Sequence, residues 1–105
     1  MVDPWPFAEP RQFAIITTRL ILWKLKPILH VFHDRSDGGW HFLSGDRSEI
    51  EGIDQEVASL EEIVRIDPTV CKLASLPLGW HAWRRTRKEP WQWTEKAGDA
   101  LRRTL

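Results

Sequence analysis

The alternation of apolar and polar positions is clearest in residues 28–46, ILHVFHDRSDGGWHFLSGD. Two runs of branched, aliphatic and aromatic residues flank a polar segment, residues 34–39, whose Asp, Ser and Gly favour a turn. The pattern therefore predicts a β-hairpin. A register that pairs His33 with Trp40 leaves largely apolar side chains on both faces. We therefore expect a central hairpin, covered by a helix on one face and at least partly covered on the other.

Shorter patterns precede this hairpin. Residues 12–18 (QFAIITT) predict a first strand, and residues 19–26 (RLILWKLK) fit either a helical turn or a strand edge. We favour the helical turn, because Pro27 restricts the residue before it to an extended conformation and ends any helix there. Residues 1–11 contain three prolines and are predicted to be irregular.

The segment after the hairpin predicts a polar acidic loop, residues 47–55, and then two helices. Ser59 and Glu62 have the spacing of a capping box, in which each side chain accepts a hydrogen bond from the backbone N–H of the other residue. Asp67 and Pro68 end this helix and begin a second, short one, since Asp is a good N-cap and Pro suits the first helical position.

A second hairpin completes the predicted fold, with strands in residues 79–85 and 91–94 and a basic loop in residues 86–90. Together the elements predict an α+β fold, an antiparallel sheet of about four to five strands packed against one main helix and a short second helix. We divide the chain into an irregular N-terminal segment (1–11), a single domain (12–94) and a tail (95–105) that is flexible or forms a short helix.

The charged residues are unevenly distributed along the chain. The 105 residues fit one domain, and the net charge is zero, so no global charge favours nucleic acid or an anionic membrane. Residues 44–67 nevertheless carry eight acidic and two basic residues, a net of −6, whereas residues 80–105 carry seven basic and three acidic ones, a net of +4. The acidic block and the basic block therefore either attract each other in the fold or form two surfaces of opposite charge.

Three features predict a cytoplasmic protein. The lone Cys71 excludes an intramolecular disulfide, as expected in a reducing compartment. The N-terminus has no basic segment followed by an apolar one, so we expect no signal peptide. The most apolar run, residues 13–29, is interrupted by three basic residues and Pro27 and cannot span a bilayer, so no membrane partner is predicted.

Catalytic and metal-binding candidates are few. An enzymatic interpretation, a small hydrolase or metal-dependent enzyme, would use His33, Asp34, His41 and Asp46. Its spacing is unfavourable, because His30 and His33 point to opposite faces of a strand and two ligands on one face do not make a zinc site. Cys71 lies in the short second helix and is predicted to be a small buried hydrophobe. We expect no catalytic residue, no metal and no cofactor.

Aromatic and basic residues are concentrated in the second hairpin. Trp and Arg are the residue types that most often anchor protein interfaces, and they also bind single-stranded nucleic acid by stacking and phosphate contact. The plainer interpretation is that the Trp residues pack the core and the basic loop is solvated. With three residues of the first hairpin added, the candidate binding residues are Trp80, Trp83, Arg84, Arg85, Arg87, Trp91, Trp93, His33, Asp34 and Trp40.

Three segments carry a resemblance: GGWHFLSGD (38–46), SLEEIVRIDPTV (59–70) and LPLGWHAWR (76–84). They resemble a family of small bacterial domains of uncharacterised function, part of which is proposed to serve as immunity proteins in polymorphic toxin systems. In that family a GW-x-F-x-x-G segment is similarly followed by an acidic stretch, a short helix ending in Asp-Pro, and Pro and Gly before aromatics. The resemblance implies an α+β domain, a bacterial origin and a non-enzymatic role.

We therefore predict a cytoplasmic, non-enzymatic protein-binding domain as the first interpretation, and an immunity-type inhibitor of a toxin is one form that such a domain could take. The sequence implies a protein partner without identifying it. The alternative is a single-stranded nucleic-acid-binding module that uses the second hairpin, which the zero net charge disfavours. The enzyme is the third interpretation. Weak homodimerisation through an exposed edge strand is compatible with the first.

Overall fold

The computed structural model describes residues 4–46, 49 and 54–95. Within that part of the chain, six strands form one sheet. The strands are β1 (Ala14–Thr18), β2 (His30–His33), β3 (Trp40–Leu43), β4 (Gln55–Ser59), β5 (Trp80–Trp83) and β6 (Gln92–Glu95). The helices are α1 (Arg19–Leu22), α2 (Leu60–Ile66) and a 3₁₀ helix (Pro68–Leu73).

The sheet has the order β4-β1-β3-β2-β5-β6 and is mostly antiparallel. Among the described strand pairs, β1 and β3 run parallel, because the first hairpin (β2–β3) docks against β1 through its second strand. The architecture confirms the predicted α+β class, with six strands rather than four or five.

The additional strand is β4. Its sequence predicts no strand, because the segment lies between the predicted acidic loop and the cap of the main helix. It pairs with β1 over its whole length, from Ser59 opposite Ala14 to Gln55 opposite Thr18. Its first three residues are exposed and only Ala58 is buried, as in an edge strand. The segment QEVAS therefore lacks the apolar alternation that indicates a strand.

Both hairpins form in the predicted places. In the first, His33 pairs with Trp40 as predicted. In the second, β5 pairs with β6, and β6 extends to Glu95, which the sequence pattern assigns to the tail. The helical turn predicted between the first two strands is α1. The rest of the predicted tail (96–105) and most of the predicted acidic loop lie outside the described residues.

The predicted signals at the helix starts are confirmed. Ser59 Oγ accepts a hydrogen bond from the Glu62 N–H (3.1 Å), and Glu62 Oε1 accepts one from the Ser59 N–H (3.0 Å). Asp67 Oδ1 accepts from the Thr69 N–H (3.0 Å), with Pro68 at the first position of the 3₁₀ helix. None of the helices among the described residues is long and apolar enough to cross a membrane.

The core lies between one face of the sheet and the helical layer. Side chains alternate along each strand, so Ile15, Val31, Phe42 and Ala82 are buried on the helical side while their neighbours point away. The helices contribute fully buried aliphatic side chains. These are Ile21, Leu60, Ile63, Val70 and Leu73.

Candidate binding surface

The second hairpin, β5–β6, divides its aromatic residues between the two faces of the sheet. Ala82 is buried in the core and pairs with Trp93, so Trp80, Ala82 and Trp93 share the face that carries the helices. Trp83 pairs with His30 of β2 and lies on the opposite face. The candidate residues of this hairpin therefore do not form a single patch.

Exposure separates the four tryptophans of this hairpin further. Trp83 and Trp93 are exposed over 43% and 38% of their surface. Trp80 and Trp91 are half-buried and pack against the core. The indole nitrogen of Trp91 is buried without a hydrogen-bond acceptor among the described residues. Two tryptophans are thus available at the surface, and two contribute to packing.

Arg84 is buried, which corrects the expectation that it lies on a binding surface. Its Nη2 lies 2.5 Å from Asp67 Oδ2 and also donates to the carbonyl of Ile28 at 2.9 Å. Its Nη1 donates to Thr69 Oγ1 at 3.0 Å, and the guanidinium lies 4.0 Å from the ring centre of Trp91. Arg84 follows the alternation of β5 toward the helices, so it holds the 3₁₀ helix and the β5–β6 loop together.

An ion pair between Arg85 and Glu89 lies on the outside of the β5–β6 loop. Arg85 Nη2 is 2.9 Å from Glu89 Oε2, and the Arg85 backbone N–H donates to Glu89 Oε1 at 3.1 Å. The hydrogen bond from the Arg85 side chain, followed by the one from its backbone, lowers the pKa of Glu89 below its ordinary value. The same side-chain bond raises the pKa of Arg85. The carboxylate of Glu89 therefore neutralises the positive charge of Arg85.

A cleft of about 370 Å³, here called the basic cleft, opens beside this loop on the helical side. Its main lining residues are Thr69, Lys72, Arg87, Lys88, Trp91 and Trp93. Lys72, Arg87 and Lys88 are exposed, whereas Arg84 and Glu89 at its border are already paired with opposite charges. Cations beside aromatic rings suit a partner group that combines a carboxylate with an apolar side chain.

The family model for the Immunity protein Imm33 domain matches residues 12–95. The chain belongs to this Imm33 family. The match confirms the resemblance to a family with immunity-protein members, and it spans all six strands and the basic cleft. Comparisons with curated proteins and with solved structures gave no match.

The first hairpin contributes three candidate residues to this Imm33 domain, and all three have structural contacts. Trp40 is only 1% exposed, and His33 stacks on it with ring centres 4.0 Å apart. His33 Nδ1 donates to the carbonyl of Leu76 (2.8 Å), because a carbonyl can only accept, and its Nε2 lies 3.6 Å from the carboxylate of Glu9. Asp34 accepts two hydrogen bonds within the turn.

The remaining histidines of the Imm33 domain lie on the sheet face opposite the helices. His30 Nε2 and His81 Nδ1 are 3.1 Å apart, and His41 stacks on Phe32 with ring centres 4.6 Å apart. Among the residues that the structure describes, no group of three or more His, Cys, Asp or Glu is placed to hold a metal ion. Cys71 is half-buried and packs against the core.

Lys72 is a residue of the basic cleft that the sequence analysis did not include. It lies on the 3₁₀ helix, which the Arg84–Asp67 pair fastens to the second hairpin. The sequence does contain a signal for its position, because Asp67 and Pro68 mark the start of this helix. With Val70 and Leu73 buried on that helix, Lys72 is left on its outer side.

Proposed function

We propose that the chain is an immunity protein that binds a protein toxin in the cytoplasm and thereby neutralises it, without a catalytic step of its own. Membership of the Imm33 family carries this proposal. The surface of the second hairpin supports it, because Trp93 and the exposed cations beside it are residue types that anchor protein interfaces.

The residues of the hairpin take different parts in the proposed contact. Trp93, Arg87 and Lys88 are exposed at the basic cleft and make the contact. Arg84 and Trp91 lie beneath them and hold the loop in place. Preorganised loops lose less conformational entropy on binding, so this support favours tight association.

Capture followed by co-expression tests the proposal. The affinity-tagged chain captures proteins from a lysate of the cells that encode it, and a partner recovered in equimolar amount is identified by mass spectrometry. That partner is then expressed in a host, alone and together with the chain. We expect growth arrest by the partner alone and restored growth when the chain is present. The absence of an equimolar partner, or a partner without effect on growth, contradicts the proposal.

The stoichiometry of protection separates an inhibitor from an enzyme. An inhibitor that acts by binding removes toxin activity in proportion to the amount added, and the activity reaches its minimum at one chain per toxin molecule. Titration of the purified toxin with the purified chain measures this directly. Complete protection at a small fraction of one equivalent would show turnover and would support the enzymatic interpretation instead.

A further inference from the structure

A second cavity, of about 290 Å³, adjoins the basic cleft. It lies between the turn after α1 and the end of α2, with Leu25 and Pro27 on one side and Ile66 on the other. Arg87 lines both cavities, which are therefore neighbours. We call the two cavities together the basic groove.

The basic groove carries positive charge that no ion pair among the described residues neutralises. Lys24, Lys72, Arg87 and Lys88 are exposed, and none of the four forms an ion pair with another described residue. The acidic residues of the lining are each paired with an arginine instead. An anionic partner therefore meets four cations without having to displace an ion pair within the described part of the chain.

Apolar side chains lie between these charges. Leu25 is 68% exposed in the second cavity, and Trp93 is 38% exposed in the first. Lys24, next to Leu25, has a φ of +63°, a left-handed conformation that is unfavourable for a residue with a Cβ. Here it belongs to the C-terminal cap of α1, in which the Lys24 N–H donates to the carbonyl of Ile21 and the Leu25 N–H to that of Leu20, and this cap leaves Leu25 at the groove.

We propose that the basic groove binds an extended segment of the partner protein in which acidic and large apolar side chains are interspersed. This inference rests on the proposed function, in which the partner is a toxin. Each cavity has the volume of a small-ligand pocket and accommodates a few side chains rather than a whole helix. An extended segment can place side chains in both cavities while its carboxylates reach the lysines and Arg87 at the rim.

Charge also favours a protein segment over a nucleic acid as the occupant. The chain has no net positive charge. A continuous run of phosphates would find no charge partner at Leu25 and Trp93, which lie between the cations, whereas a segment with interspersed acidic and apolar residues matches both kinds of side chain.

Fluorescence anisotropy with defined probes tests this occupant. The probes are a short fluorescein-labelled peptide of alternating Glu and Leu, the same peptide with Gln in place of Glu, and an oligo(dT) of equal length. We expect the full chain to bind the Glu-Leu peptide most tightly, with an affinity that falls as the salt concentration rises. Arg87→Glu should weaken binding of this peptide by about tenfold, since it replaces attraction by repulsion at a side chain that lines both cavities.

The matched control is Arg35→Glu, the same charge change in the turn of the first hairpin. Arg35 is exposed and lines neither cavity, and its ion pair with Glu95 (Nη2–Oε2 3.5 Å) is also exposed, so its loss should have little effect. This variant should keep its affinity for the peptide within about twofold. Circular dichroism and urea unfolding of both variants verify that they are folded.

Three results would overturn the inference: equal affinity of wild type and Arg87→Glu, equal affinity for the Glu and Gln peptides, or tighter binding of oligo(dT) than of the Glu-Leu peptide. The assay does not use the toxin. Its failure therefore leaves the growth experiment standing, and failure of the growth experiment leaves this measurement interpretable.

Discussion

Arg84 illustrates at the residue scale how one buried cation can shape a surface loop. It donates to the carbonyls of Ile28 and Arg87 and contacts Asp67, Thr69 and the ring of Trp91. These groups belong to three separate segments of the chain. Arg84 is predicted from the sequence to be a binding residue, because Arg and Trp anchor interfaces and because its buried acceptor, Asp67, is seventeen residues away in the chain.

Replacement of Arg84 should therefore cost much more stability than replacement of its neighbour. In Arg84→Met, the buried Asp67 carboxylate loses its partner, and we expect the free energy of unfolding to fall by about 3–5 kcal/mol. Arg85→Met breaks an exposed ion pair and should leave it nearly unchanged, because exposed ion pairs contribute little to stability. Urea unfolding monitored by Trp fluorescence measures both. Similar values for the two variants would contradict the structural part assigned to Arg84.

The Arg85–Glu89 pair gives a prediction about titration. Because hydrogen bonds from Arg85 lower the pKa of Glu89, the pair stabilises the loop above the ordinary pKa of a glutamate. That contribution is lost as the pH falls through the lowered pKa. We expect Arg85→Gln to raise the pKa of Glu89 toward its ordinary value, as measured by NMR titration of the side-chain carboxyl group. An unchanged Glu89 titration in this variant would show that the side-chain bond is not formed in solution.

At the element scale, local chemistry predicts most of the fold. The turn residues between Asp34 and Gly39 and the capping box at Ser59 act within a few residues, so the sequence indicates them directly. Strand β4 has no such signal, because its pairing with β1 connects segments about forty residues apart and only Ala58 is buried. The parallel pairing of β1 with β3 is equally non-local.

The capping box allows a direct test of this local chemistry. Ser59→Ala removes the hydroxyl that accepts from the Glu62 N–H, so the free energy of unfolding should fall by about 1 kcal/mol. Ser75→Ala, in an exposed turn, is the matched control and should change it by less than about 0.5 kcal/mol. Urea denaturation measures the free energy of unfolding of both variants, and the dependence of that free energy on urea concentration should be unchanged. If both variants unfold at the wild-type midpoint, the cap contributes nothing.

At the scale of the whole molecule, the basic groove combines residues from distant parts of the chain, and the sequence predicts only those of the second hairpin. The aromatic and basic residues of the second hairpin are contiguous in sequence, so they are predicted together as candidate binding residues. Lys24 and Leu25 lie far from them along the chain and approach only because β5 pairs with β2. Sequence periodicity predicts which face of a strand a side chain occupies, but it does not predict the order of the strands in the sheet. The sequence therefore contains no signal for the second cavity. Homodimerisation through the exposed edge strands remains a prediction.

We propose that the Imm33 domain neutralises a toxin through the basic groove. Growth of cells that express the captured toxin tests this proposal, with wild type, Arg87→Glu and Arg35→Glu co-expressed at equal levels. We expect full growth with wild type and Arg35→Glu and strongly reduced growth with Arg87→Glu. Equal protection by all three proteins would show that toxin neutralisation does not use the groove.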